Sequence, residues 1–84
     1  MRSTAGWWDT HAMTEPIEDT ALFADGTVKY TGSRLAGAMH GDWSWFRKDG
    51  SLMRTGSFDA GRQIGVWRTY DRDGTVVKET TFSN

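Results

Sequence analysis

The chain has 84 residues, ten Lys or Arg against eleven Asp or Glu for a net charge of −1, no cysteine and five tryptophans. That length sets one domain near the lower limit for a self-sufficient core. The missing cysteines exclude disulfides and thiolate metal sites, and the balanced charge exerts no global pull toward nucleic acid or acidic membrane. No apolar run is long enough for a membrane span or a signal-peptide core, so the chain reads as soluble and cytoplasmic.

Residues 1–20 read as an irregular lead-in, with Pro16 and the acidic Glu18-Asp19 near its end. Met13 is followed by TEPIEDTALF, the pattern of a natural start, which would make residues 1–12 an upstream extension. The competing reading docks Trp7 and Trp8 onto the domain that follows. Charge divides along the same line. Residues 1–20 carry Asp9, Glu15, Glu18 and Asp19 against Arg2, while residues 21–84 carry nine Lys or Arg against seven Asp or Glu.

From Ala21 onward the sequence repeats with a period of 24 residues, the offset from Gly41 to Gly65. In that register Trp43 matches Trp67, Phe46 matches Tyr70, Asp49-Gly50 matches Asp73-Gly74, and Phe58 matches Phe82. The register extends backward to Asp25-Gly26, Gly32 and Gly37. It divides residues 21–84 into a degenerate unit 21–40 and two fuller units, 41–64 and 65–84. A fixed period of this size marks one supersecondary element that buries its apolar face against its neighbours.

Each Asp-Gly sits between β-rich runs, as a tight hairpin requires. Gly37 and Gly61 mark a second set of turns. The punctuation predicts six short strands, at roughly 21–24, 27–35, 39–46, 51–58, 64–70 and 75–82, stacked as an all-β antiparallel meander of hairpin repeats. Alternation then assigns faces. Trp43 and Trp45 point together, opposite Ser44 and Phe46. Leu52, Arg54, Gly56 and Phe58 share one side of their strand, and Val76, Lys78, Thr80 and Phe82 share the equivalent side. Gly32 and Gly56 recur at one repeat position inside strands, where glycine costs about 0.5–1 kcal/mol. A packing reason is expected, with room left for a neighbouring indole. Thr80 breaks this position in the last unit, as capping repeats do.

The spacing G-x-W-x-x-[FY]-x-x-D-G, a short strand, then G-x-F-x-x-G resembles the MORN repeat, and more closely its bacterial variant. Gly41, Trp43, Phe46, Gly50 and Leu52 carry the pattern once, followed by Gly56, Phe58 and Gly61. Gly65, Trp67, Tyr70, Gly74 and Val76 carry it again. The first unit departs from it, lacking the G-x-W start and holding Arg34 where Phe58 stands. The resemblance implies stacked hairpins in an antiparallel meander and a protein-interaction role. Some bacterial members are labelled antitoxins, and other MORN proteins are linked to membranes and phosphoinositides. The matched residues are structural ones, so neither role is carried by them.

The residues give little support to catalysis. His11 and His40 are the two histidines. His11, in WWDTH, has one Asp beside it, too few ligands for a metal. His40 precedes the G-x-W motif as a partly buried strand residue. The glycines recur at hairpin spacing rather than in phosphate-binding order. The aspartates at 25, 49, 71 and 73 are explained by turn geometry, without the alternating oxygen ligands of a calcium loop. No enzyme, cofactor or metal is expected.

The expected function is a non-catalytic protein-interaction module, antitoxin-like in its most concrete form. Trp45, Phe46, Met53 and Tyr70, with Arg47 and Arg68, are the candidate partner-binding residues, since a single-layer sheet cannot cover both its faces. Trp45 stands out because its repeat equivalent is Thr69, so the architecture needs it less. The alternative is a membrane or nucleic-acid surface formed by Arg47, Lys48, Arg68, Arg72 and Lys78 among the aromatics. Asp42, Asp49, Asp71 and Asp73 dilute that field and weigh against it. Edge strand 75–82 lacks proline and offers a route to a homodimer or to an added partner strand.

Overall fold

A computed structural model of the chain describes residues 15–82. Six strands follow in chain order: β1 Ile17–Leu22, β2 Val28–Leu35, β3 Ala38–Phe46, β4 Leu52–Asp59, β5 Arg62–Tyr70 and β6 Val76–Phe82. They form one open antiparallel sheet in the order β1-β2-β3-β4-β5-β6, each strand paired with its neighbours in sequence. The sheet measures 52 × 36 × 12 Å, a single thin layer. The fold is the all-β meander that the turn spacing predicts.

The first strand departs from expectation. It begins at Ile17, not near residue 21, so residues 17–20 belong to the sheet rather than to an irregular lead-in. Their polar composition has cross-strand partners. The Asp19 carboxylate meets Arg34 Nε at 2.6 Å, and the Thr20 and Thr31 hydroxyls lie 2.8 Å apart. The alternative roles considered for Trp7, Trp8, His11 and residues 1–12 lie outside the described residues.

Two kinds of turn alternate. At Asp25-Gly26, Asp49-Gly50 and Asp73-Gly74 the glycine has φ near 90° and donates its N–H back to Phe23, Arg47 or Asp71. Asp25 Oδ1 accepts from the Thr27 amide and hydroxyl, and Asp49 Oδ1 does the same for Ser51. In the third turn Asp71 takes this part, accepting from the amides of Asp73 and Thr75. The second kind is a two-residue loop, Ala36-Gly37 or Ala60-Gly61, with positive φ at both positions. This is the type I′ geometry whose twist matches a hairpin.

The core is built from a bulge facing a glycine. Between the pairs Thr31↔Ser44 and Ser33↔His40, β2 supplies Gly32 while β3 supplies Gly41, Asp42 and Trp43. Between Thr55↔Arg68 and Ser57↔Ile64, β4 supplies Gly56 while β5 supplies Gly65, Val66 and Trp67. Extra residues on one strand bend it and re-aim its side chains. Here they lay Trp43 over Gly32 and Trp67 over Gly56, where a Cβ would overlap the indole. Among the described residues these two tryptophans are the buried apolar side chains, 2% and 7% exposed. The room for an indole expected at Gly32 and Gly56 is therefore present at both.

Candidate interaction face

The strand register sorts the side chains into rows across the sheet. One row runs Ala21, Tyr30, Trp45, Arg54, Thr69 and Lys78, one residue from each strand. The next row on the opposite face runs Thr20, Thr31, Ser44, Thr55, Arg68 and Glu79. Directly opposed residues share a face. The layer is thus aromatic on one side and rich in hydroxyls on the other.

The aromatic side is continuous. Ring centroids are 5.6 Å apart for Tyr30 and Trp43, 6.0 Å for Trp43 and Trp45, and 5.4 Å for Trp45 and Trp67. Phe58 meets Trp67 edge-on at 5.1 Å and 90°, and Phe82 stacks on Trp67 at 6.0 Å. All fall within the 4.5–7 Å range of favourable ring pairs, each contributing about 0.5–1.5 kcal/mol beyond area burial. The buried indoles keep their N–H groups bonded, Trp43 to the Ser33 carbonyl at 3.0 Å and Trp67 to that of Ile64 at 3.2 Å. Tyr30, Trp45, Phe58 and Phe82 are half-buried: their outer surfaces face solvent. At the N-terminal end Arg34, paired with Asp19, lies 5.8 Å over the Trp43 ring.

The residues selected from the sequence divide between surfaces. Trp45 lies centrally in the aromatic row. Tyr70 turns to the other face, its hydroxyl 3.2 Å from Thr55 Oγ1. Arg68 is also on that face, paired at 2.8 Å with Glu79, whose carboxylate raises the Arg68 pKa above its ordinary value. Phe46 and Met53 are half-buried beside the irregular pairing at the β3–β4 hairpin. Arg47 ties two hairpins together. Its Nη2 donates to the Tyr70 carbonyl at 2.5 Å, and its Nη1 to the Leu52 carbonyl at 3.2 Å and Ser51 Oγ at 3.3 Å. Arg72 pairs with Asp49 at 2.9 Å.

Two cations of the aromatic face stand apart. Arg54 and Lys78 flank Thr69 in one row and have no hydrogen-bond or ion-pair partner among the described residues. Together with Trp67, Phe82, Gln63 and Thr80 they line a shallow groove of about 140 Å³. Face alternation in the sequence already places Arg54 beside Gly56 and Lys78 beside Thr80. Ranking cations by their nearness to aromatics in sequence obscures this, because neighbours in a strand point to opposite faces.

His40 is half-buried, and its Nδ1 accepts the Ala60 N–H at 3.1 Å, a link from β3 to the β4–β5 turn. Among the described residues no group of three or more His, Cys, Asp or Glu is placed to hold a metal ion, and no helix is long and apolar enough to cross a membrane.

Fold and face define a class: an open, single-layer repeat meander with one aromatic surface. No protein-family model matches the chain, and neither does any curated protein or solved structure.

Proposed function

We propose that the chain is a non-catalytic module that binds a partner protein across its aromatic face. The observation that supports this most is the ring row from Tyr30 to Phe82 on an open layer, with Trp45 at its centre and half-buried. Aromatic side chains supply large contact area at low entropy cost and dominate interface energetics. The spacing shared with bacterial MORN-variant repeats agrees with this reading. An antitoxin-like role, in which the face masks a cytoplasmic partner, is its most specific form. The outer edge of β6 offers a second contact, through pairing with another copy or a partner strand.

The test is affinity capture from native lysate at moderate and at high salt, comparing wild type with Trp45→Ala. A single stoichiometric protein, retained at high salt and lost in a folded Trp45→Ala variant, is the expected result. Recovery of nucleic acid or lipid alone, released by salt, would overturn the proposal in favour of a charged-surface binder.

A further inference from the structure

We infer that the groove between β4 and β6 is a subsite for an acidic residue adjoining an aromatic one on the partner protein. This rests on the interaction reading above and names the chemistry of the partner. Three observations carry it. The groove floor is apolar, formed by Trp67 and Phe82 stacked at 6.0 Å. Its volume of about 140 Å³ suits one ring, since an apolar cavity of roughly 150 Å³ takes benzene. Its charged lining is Arg54 and Lys78, with no carboxylate among the residues that form it.

Register brings the two cations to bear on one point. Arg54 opposes Thr69, and Thr69 opposes Lys78. With strands about 4.8 Å apart, the two Cα atoms are separated by roughly 10 Å, within reach of both long side chains. A carboxylate above Thr69 would meet both cations and a hydroxyl donor, while its neighbouring ring lies on Trp67. The three cations that have ion-pair partners, Arg34, Arg68 and Arg72, are neutralised by Asp19, Glu79 and Asp49. Among the described residues Lys29, Arg47, Lys48 and Arg62 also have no ion pair, but on the aromatic face Arg34 is neutralised and Arg54 and Lys78 are left as one cation pair, suited to one carboxylate rather than to a track of phosphates.

The experiment is calorimetric titration of the full chain with two capped tripeptides, acetyl-Asp-Trp-Asp-amide and acetyl-Asn-Trp-Asn-amide. The acidic peptide is expected to bind about two- to thirtyfold tighter, the range set by two exposed ion pairs. In the Arg54→Gln/Lys78→Gln variant that preference should vanish while the Asn peptide binds as before. Equal affinity for the two peptides in wild type, or a preference that survives in the variant, overturns the proposal. Residues 1–14 carry the same chemistry in Trp7, Trp8 and Asp9. A tenfold gain in peptide affinity for Trp7→Ala/Trp8→Ala/Asp9→Asn would assign the groove to this chain's own segment and overturn a partner ligand. Displacement of the peptide by oligo-dT would overturn it in favour of nucleic acid. If Trp45→Ala loses a captured partner and the charge variant does not, the subsite fails while the interaction module stands.

Discussion

Gly56 lies beneath the Trp67 indole with no space for a methyl group between them, and Gly32 holds the same relation to Trp43 one repeat earlier. At an ordinary strand position, replacing glycine by alanine gains about 0.5–1 kcal/mol. Here the sign reverses, because the clash is with the face of a buried ring that neighbouring rings hold in place. Gly56→Ala and Gly32→Ala should each lose about 1–3 kcal/mol, the range of overpacked cores, in urea unfolding. An unchanged or higher midpoint would remove the indole from the glycine. Thr80 occupies the same repeat position and is exposed, with no ring laid on it from a later strand among the described residues, so Thr80→Gly should gain nothing.

The rings themselves should be the costliest to remove. Trp43→Ala and Trp67→Ala should each destabilise by about 3–5 kcal/mol, with Trp43 the larger because it is more deeply buried. Since a small domain has about 5–15 kcal/mol in all, either variant should melt far below wild type in thermal circular dichroism. Wild-type stability in either would refute the packing.

Ala36 and Ala60 sit at φ of 52° and 50°, in the left-handed region where a Cβ is crowded. That conformation costs an ordinary side chain roughly 1–2 kcal/mol, and glycine returns about 0.4–1 kcal/mol of it as unfolded-state entropy. Ala60→Gly and Ala36→Gly should therefore stabilise by about 0.5–1 kcal/mol each. Asn should act similarly, since it tolerates this region. The two sites lie in separate turns, so the double variant should be additive in urea titration.

Arg47 holds three acceptors from two hairpins. Arg47→Ala should lose about 1–2 kcal/mol, less than a fully buried charged hydrogen-bond set because the site is part-buried. Arg47→Lys should not restore it, since an ammonium lacks the planar fork that spans these carbonyls. Hydrogen exchange should show the loss concentrated at the β3–β4 and β5–β6 hairpins.

Acid sensitivity follows from the turn carboxylates. The Thr27 hydroxyl and amide hold Asp25 below its ordinary value of 3.8, and the Ser51 hydroxyl and amide do the same for Asp49. A depressed folded-state pKa gives stability that is present above the unfolded value and is lost as pH falls through the folded one. Wild type should thus lose stability progressively below about pH 4. Asp25→Ala and Asp49→Ala should be less stable near neutrality and flatter in that acid range. A slope unchanged in both would show that these caps are not formed.

Much of the architecture is legible because period and alternation are local properties. The spacing of Asp-Gly pairs fixes the strand count, and the recurrence of Gly32 and Gly56 opposite tryptophan positions signals close approach. What escapes depends on partners distant in sequence. Ile17–Thr20 looks like loop until Arg34 and Thr31 are set beside Asp19 and Thr20. Arg47 looks like a free surface cation until the Tyr70 carbonyl, 23 residues on, is found against it. The left-handed alanines carry no sequence signal at all, since Asn or Gly is the usual mark of that geometry. Arg54 and Lys78 come together through β5, a strand to which neither belongs.

The ring-on-glycine contact also has a direction. Trp43 leans on Gly32 and Trp67 on Gly56, so each indole settles on chain that precedes it. Each strand from β2 to β6 likewise pairs with the one just before it. During synthesis from the N-terminus, each glycine seat emerges ahead of its ring. Contacts such as Arg47 to the Tyr70 carbonyl and Trp45 against Trp67 then close as the next hairpin arrives. The molecule is thus built to be assembled vectorially, with each new hairpin closing on a template already exposed outside the ribosome.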